Sequence, residues 1–382
     1  MSLLTRLRSK EGVALPGGSQ IGHTWSSFLP QMGTSIGIDI GSGALKIAQV
    51  KWHRGGPQLE NFAVIPLEGS YTEESAIVDP VGLGDLLQAA TQAMGLSIKQ
   101  VGTHVGGPSL RHQHINVPKA PLAELRQAMR YEAPQQFSAI PEEHLIWDFT
   151  PVSEASGIPE HQQAVFLAGT HRRLVDSFLA TLNRANLKVD AVELDCLVQL
   201  RALQWAGLAP HAATGPLVLF DVGERSAKLS ILRHGVPMFS RTMPTGLTHL
   251  RGIVADSLGL SHDEAEMALR APSDAVRAAA EPHIVELVDA VARSVEYYLY
   301  QNRGVTIERF FLVGGGAGLP HMMEALTSGL AAALPAGENL SLRVQTGSLG
   351  EMPVSGRLQP QAASVGHLLL GAIGSALRGE DS

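Results

Sequence analysis

Cysteine is almost missing from this chain: Cys196 is the only one in 382 residues. A single thiol excludes an internal disulfide framework and a cysteine-rich metal site, and it fits a reducing cytosol. Long apolar runs are missing too. The longest, near residues 362–377, is interrupted by Ser364, His367 and Ser375 and falls short of a spanning helix. No apolar core followed by a small-residue cleavage site marks the N-terminus, so no signal peptide is expected. Positive charge is in deficit, with 29 Lys and Arg against 36 Asp and Glu for a net charge of −7. That argues against nucleic acid as the main partner. Catalytic signatures are absent as well: there is no Gly-x-Ser-x-Gly and no recognisable Ser/His/Asp or Cys/His arrangement. Of the 15 histidines, His112 and His114 alternate on a strand and His262, His283 and His321 are scattered. None forms a helical i, i+4 pair with a third ligand, so a metal site made of protein ligands alone is not expected.

What is present is a globular composition, 45% hydrophobic and 17% charged, on a chain long enough for two lobes with a core each. The most informative stretch is residues 35–51, SIGIDIGSGALKIAQVK. It reads as an apolar strand carrying Asp39, a tight Gly41-Ser42-Gly43 turn, and a second alternating strand. Glycine has no Cβ, so such a turn lets backbone N–H groups approach a phosphate. Ser42 adds a hydroxyl, Lys46 a point charge, and Asp39 a carboxylate suited to hydrated Mg²⁺. On one copy alone, an ordinary β-turn is the better account. A second copy follows about half a chain later, at residues 217–232, LVLFDVGERSAKLSIL, where Asp221-x-Gly223 repeats Asp39-x-Gly41. A third glycine element closes a buried strand at Gly314-Gly315-Gly316.

Two Asp-x-Gly hairpins and then a strand–GGG turn, in that order and spacing, resemble the actin-like ATPase superfamily. The resemblance implies a two-lobed α/β fold, a duplicated ribonuclease H-like core. The hairpins would act as phosphate loops and the GGG turn as the adenosine loop. ATP–Mg²⁺ would then lie between Asp39, Gly41, Ser42, Gly43 and Lys46 on one side and Asp221, Gly223 and Glu224 on the other. The two aspartates would act on the metal through water, and Gly314, Gly315 and Gly316 would let the backbone approach ribose and adenine.

Along the chain, residues 1–33 read as an arm. Its first ten residues mix Leu3, Leu4 and Leu7 with Arg6, Arg8 and Lys10. A short basic helix touching anionic lipid is one account, and a frayed solvated terminus the preferred one. Residues 34–96 hold the first lobe's opening strands and a helix at 84–94. Residues 97–188 read β-β-α-β-β-α, a small α+β module inserted into that lobe. Residues 189–214 return to it as a strand and a helix. Residues 215–359 form the second lobe, including a long periodic helix at 281–302, and residues 360–382 a helix returning to the first. Glu193 and Asp195 stand where the lobes connect. One of them is a candidate to orient an attacking water, and a carboxylate at a helix start is the equal alternative. Arg293 and Glu296 lie on the polar side of the long helix. In the superfamily this helix lines the adenine side, with solvated surface charge as the alternative.

The insertion narrows the resemblance. Val117-Pro118-Lys119, Glu132-Ala133, Pro141-Glu142-Glu143 and Trp147-Asp148-Phe149 resemble the inserted subdomain of the type IV pilus assembly protein PilM family. The likeness runs from about residue 35 to the C-terminus. It implies a scaffold on the cytoplasmic face of the bacterial inner membrane that binds ATP and holds the short N-terminal tail of PilN, which joins PilO and PilP. The tail groove would border residues 117–132, and a homo-oligomer is compatible. Rival readings are a true ATPase or kinase, an FtsA-like filament former, and a GspL-like secretion scaffold. The last normally carries a membrane helix not seen here. One departure stands out. PilM-like sequences usually follow the second hairpin with Gly-Gly and a Leu-Thr-Glu triplet. Here the run is Thr245-Gly246-Leu247-Thr248-His249-Leu250-Arg251, with Arg251 about where the acid would be, unless Asp256 fills that role. Weakened nucleotide binding and very slow or absent turnover are the expectation.

Overall fold

The computed structural model describes residues 33–68, 71–73, 75–152, 158–211, 215–307, 309–333, 343–347 and 353–378. The expected arm falls almost wholly outside them. Alternating apolar residues set the first three strands, β1 (Thr34–Ile40), β2 (Ala44–His53) and β3 (Gly56–Pro66), which pair as an antiparallel meander. Two short strands, β4 (Thr72–Glu73) and β5 (Ala76–Ile77), precede α1 (Pro80–Ala93). The helix starts earlier than its apolar period suggests, because the Asp79 side chain accepts from Gly82 N at 2.9 Å and Pro80 suits the first turn. β6 (Gln100–Val105) then runs parallel to β1.

An excursion follows: β7 (Arg111–Pro118), α2 (Leu122–Gln136), β8 (Leu145–Val152) and β9 (Gln162–His171), with a three-stranded sheet in the order β7-β9-β8. β9 alternates. Val165 and Leu167 face Leu125 and Met129 of α2, while Phe166 and Ala168 face the main lobe. The chain returns through α3 (Arg172–Arg184), β10 (Lys188–Leu194) and α4 (Asp195–Trp205).

The strand pairing corrects the module read from sequence over residues 97–188. β6 sits between β1 and β10 in the first sheet, ordered β10-β6-β1-β2-β3, and is buried at five consecutive positions as a central parallel strand should be. α3 buries Leu174, Val175, Phe178 and Leu182 in the same core as Leu83 and Leu87 of α1. Both elements therefore belong to the first lobe, and the excursion proper spans residues 111–171.

The second lobe repeats the plan. β11 (Leu217–Val222), β12 (Ala227–Arg233) and β13 (Val236–Met243) form another meander. α5 (Leu247–Leu258), α6 (His262–Arg270) and α7 (Asp274–Gln301) follow. β14 (Arg309–Val313) runs parallel to β11, α8 (Pro320–Ala333) covers it, and β15 (Arg343–Thr346) runs parallel to β14. The sheet order β13-β12-β11-β14-β15 is the first sheet's order with its elements substituted one for one. Ser261 and Glu264 make a reciprocal capping box at α6. α7 runs straight through Pro282, seven residues beyond the period visible in sequence, from a Ser273 cap. β13 and α8 carry no clear sequence period and were not expected.

α9 (Gln359–Ala376) closes the molecule. It lies on β1 and α4, with β2 and β6 alongside. Its Leu369, Leu370, Ala372 and Ile373 share one core with Leu200 and Leu203 of α4 and with Leu219 and Phe311 of the second sheet. The two sheets thus sandwich α4 and α9, and the lobes share this core. The contact with β1 is backbone to backbone. A Cβ on Gly37 would lie 1.9 Å from the Ala372 carbonyl oxygen, and one on Gly374 would lie 1.8 Å from that of Val198.

Candidate functional site

The chemistry gathers where the central strands of both sheets end. Asp39 closes β1, His104 closes β6, Asp195 follows β10, Asp221 closes β11 and Gly314 follows β14. Ligands of open α/β sheets collect at such carboxyl ends. Each hairpin turn is closed by one backbone bond, Gly41 N to Ala44 O at 3.1 Å and Gly223 N to Ser226 O at 3.0 Å. The cross-strand register is also the same, with Asp39 opposite Lys46 and Asp221 opposite Lys228. The turns face each other closely: a Cβ on Gly43 would lie 2.8 Å from Glu224 Cγ.

The acids are held differently. Lys46 Nζ donates to Asp39 Oδ2 at 3.1 Å, and His104 Nε2 stands 3.6 Å from Asp39 Oδ1 while its Nδ1 meets Ser375 Oγ at 3.0 Å. Burial pushes the Asp39 carboxyl up, but Lys46 and His104 outweigh it and leave it far below the usual carboxylate range. Among the described residues no cation is bonded to Asp221, and Lys46 acts on it only from a distance. Asp221 accepts from Gln199 Nε2 at 2.6 Å. Burial pushes its carboxyl up, and the neighbouring Asp195 and Asp39 push it further, against the Gln199 bond. Lys228, which faces Asp221 across the strands, turns instead to Asp195 Oδ1 at 2.5 Å. Asp195 also accepts from Cys196 N at 2.7 Å, and as an acid in the first turn of α4 it suits the positive end of the helix. Cys196 behind it is buried, and burial pushes its thiol up to about 12.

Other sequence candidates are placed less centrally. Glu193 is buried under α9 and clamped by Arg201, Nη2 to Oε1 at 2.6 Å and Nη1 to Oε2 at 3.0 Å. That is a structural ion pair, and it leaves no oxygen turned to the cleft acids. Glu224 turns toward α5, where Thr248 Oγ1 donates at 2.6 Å and Arg251 Nη2 at 2.5 Å. Arg251 neither stacks nor points to solvent. Its Nε also stands 3.0 Å from Glu266 Oε2, although not aligned for a hydrogen bond. Arg293 is exposed on α7, and among the described residues no hydrogen bond or ion pair joins it to the cleft. A shallow cavity of about 560 Å³ adjoins Glu224 on the α5 face, lined by Arg225, Thr248, His249, Gly252, Ile253 and Asp256. Asp256 therefore lies toward Glu224 and not beside Asp39 or Asp221.

Three contributors escaped the sequence reading: His104, Gln199 and Lys228. Lys228 was within reach, since the Asp39–Lys46 spacing recurs in Asp221–Lys228. Gln199 lies one helical turn after Asp195 on α4, visible only once α4 is placed under the cleft.

The glycines fit a nucleotide's phosphates. Gly41 leaves the space into which a Cβ would come within 2.7 Å of Lys46 Nζ, and a Cβ on Gly314 would lie 2.1 Å from Asp221 Oδ1. Gly314 also has a φ of 74°, in the left-handed region. Lysines, glycine amides and two facing carboxylates are the donor set that triphosphates and their divalent cations use.

Comparison with known proteins agrees. A solved structure titled as a PilM-PilN type IV pilus biogenesis complex is 25% identical, with 91% of this chain and 99% of that one covered at a TM-score of 0.77. The ethanolamine utilization protein EutJ from Carboxydothermus hydrogenoformans is 16% identical, covering 91% and 90% at 0.55. MreB 5 of Spiroplasma citri, bound to AMPPNP, is 10% identical, covering 90% and 95% at 0.50. The last two share the fold, which is that of the actin-like ATPases. The type IV pilus assembly protein PilM family matches residues 37–349, and the chain belongs to that family.

Proposed function

We propose that this protein is a nucleotide-binding, actin-like scaffold of a type IV pilus assembly complex that holds the N-terminal tail of a PilN-like protein. The observation that carries the nucleotide half is the pair of Asp-x-Gly hairpins in one register, facing each other with Gly43 against Glu224. ATP is the nucleotide this cleft suits, with Lys46 and the Ser42 and Gly43 amides on its phosphates, Gly41 leaving room for their approach, and the Gly314 turn beside them. Mg²⁺, held through water by Asp39 and Asp221, would offset the phosphate charge. Asp221 is the buried acid that among the described residues has no cation bonded to it.

Turnover is slow or nil. Catalysis needs a group free to activate water; of the two acids offered by the sequence, Glu193 is taken by Arg201, and Asp195 has Oδ1 on Cys196 N and Oδ2 packed against Gly106. The partner half rests on family membership and on the exposed side of α2. On α2, Leu122 and Tyr131 are exposed at 48% and 76%, and Lys119, Arg126 and Arg130 are exposed as well. Among the described residues no helix is long and apolar enough to cross a membrane. Attachment to the cytoplasmic face of the inner membrane would come through the PilN-, PilO- and PilP-type partners.

The test is calorimetry with ATP–Mg²⁺ and with synthetic N-terminal tails of neighbouring inner-membrane proteins. Binding of both is expected. Steady ATP turnover above about one per second, an ordinary enzyme rate, would replace the scaffold by an enzyme.

A further inference from the structure

The duplicated hairpins place two lysines at equivalent positions. Lys46 and Lys228 each face the aspartate of their own hairpin across the strand pair. Their side chains are almost equally covered, 13% and 11% exposed. Yet Lys46 bonds its own aspartate, while Lys228 crosses to Asp195. Asp195 is no surface acid. Its other oxygen would lie 1.9 Å from a Cβ on Gly106, so it packs against the Gly106-Gly107 turn that leads from β6 toward β7 and only glycine fits there. β7 carries His112 beside Lys228. Burial, with Lys228 and His114 adding to it, pushes that imidazole down to about 4, so it is neutral at physiological pH. Two residues on, His114 Nε2 meets the Pro237 carbonyl oxygen of the second lobe at 2.7 Å. The Asp195–Lys228 pair thus stands where the first lobe, the second lobe and the excursion meet.

We propose that Lys228 is the residue that distinguishes a nucleoside triphosphate from a diphosphate, by leaving Asp195 for the terminal phosphate. This rests on the nucleotide reading above. Three features carry it. Lys228 is the register equivalent of the lysine on the opposite hairpin, so it starts from the strand position that serves phosphate on the other side. It has a partner it can exchange, because Asp195 keeps its bond from Cys196 N when the lysine leaves. And the neighbouring His112 is neutral, so it offers Asp195 no competing charge. Departure of Lys228 leaves Asp195 without its cation beside the Gly106-Gly107 turn, which carries the difference between triphosphate and diphosphate toward the start of β7. Lys228 is a specificity-determining residue here, and no covalent step is involved.

The experiment measures affinities of the full chain for AMPPNP–Mg²⁺ and ADP–Mg²⁺ by calorimetry, in wild type and in Lys228→Gln, Lys228→Arg and Asp195→Asn. A charge-assisted contact made with one ligand and not the other gives wild type a preference for AMPPNP of about ten- to a hundredfold. Lys228→Gln should collapse the ratio toward one, and Lys228→Arg should restore most of it. Asp195→Asn should raise the ratio, because it loosens the lysine's hold without removing the lysine. A purely structural ion pair would make Lys228→Gln and Asp195→Asn alike, so opposite changes in the ratio are the signature. Hydrogen exchange at residues 106–118 should differ between the two ligands in wild type and not in Lys228→Gln. If neither nucleotide binds wild type, the cleft reading itself is wrong. If both bind and the ratio is the same in all four proteins, the cleft stands and this role for Lys228 is overturned.

Discussion

The two lobes build the same five-stranded sheet, cover one face with helices of their own, and differ in how closely backbone meets backbone on the other. The second sheet is covered by its own α5, α7 and α8, through side chains such as Val254, Ile284, Val288 and Leu326. The first is covered on one face by its own α1 and α3, through Leu83, Leu87, Val175 and Phe178, and on the other by α9, which arrives from the far end of the chain and touches β1 and α4 backbone to backbone through Gly37 and Gly374. Side chains can shift to absorb a change in volume, whereas packed backbone cannot. The first lobe should therefore be the intolerant one. The hairpins inherit the difference, since Asp39 has α9 backbone directly behind it at Gly371, whereas Asp221 meets the Gly314 turn and the side chain of Gln199.

The largest effect is expected where backbone meets backbone. Gly37→Val should cost roughly 3 kcal/mol or more, as overpacking without room to relax does. In the second lobe, a Cβ on Gly329 of α8 would meet only the Val288 side chain, at 2.4 Å. Gly329→Ala should be near neutral, since removing a helical glycine gains about 1 kcal/mol to set against that contact. Denaturant midpoints compare the two, and equal losses would erase the contrast between the lobes.

A gap of comparable size should separate the ion pairs. Arg201→Met strands buried Glu193 and should cost about 3–5 kcal/mol. Arg277→Ala breaks a pair whose side chains are 42% and 64% exposed, and should cost under about 1 kcal/mol. A loss for Arg277→Ala as large as that for Arg201→Met would show that exposure does not rank these pairs.

The hairpin acids should respond with opposite sign. Asp39 has a depressed carboxyl when folded, so its contribution is present at neutral pH and is lost only as pH falls below its ordinary value of 3.8. Asp221 is raised, so its charged form costs stability. That cost is absent at low pH and grows as pH rises through the folded value. In nucleotide-free protein at pH 7, Asp39→Asn should lower the melting temperature and Asp221→Asn raise it. The gap should narrow toward pH 4 as Asp221 takes up its proton. Parallel shifts in the two variants would refute the different bonding of the two hairpins.

The smallest effect on stability is expected outside both lobes. Leu122→Ser and Tyr131→Ser on α2 should change it by less than about 0.5 kcal/mol, while weakening capture of a PilN-like tail in a pull-down. Unchanged capture would move the groove away from α2.

The fold class was legible because the signals that define it are local: an acid, a glycine turn and an alternating strand, repeated in order. Strands and helices with a clear period, such as β3, α4 and α6, were legible for the same reason. The limits of the excursion were not, because the partners of β6 lie at β1 and β10 and pairing between distant strands leaves no local mark. The site was legible down to its loops and less so in its wiring. Asp39 with Lys46 could be read from one hairpin. The turn of Lys228 to Asp195, of Glu224 to Arg251 and of Glu193 to Arg201 depends on which helix start packs beneath which strand. Spacing alone gives Lys228 the wrong partner.

Cys196 sits directly after Asp195 on α4, buried, with its thiol pushed up to about 12. In the native state it is both out of reach and un-ionised, and only the thiolate reacts. A thiol reagent added to folded protein can therefore label it only in the moments when the first turn of α4 leaves its place. The chain has no other sulfhydryl to confuse the signal. Labelling rate then becomes a clock for opening at the junction of the lobes, readable without any engineered probe, and the slowing of that clock by a ligand would measure how firmly the ligand holds the junction shut.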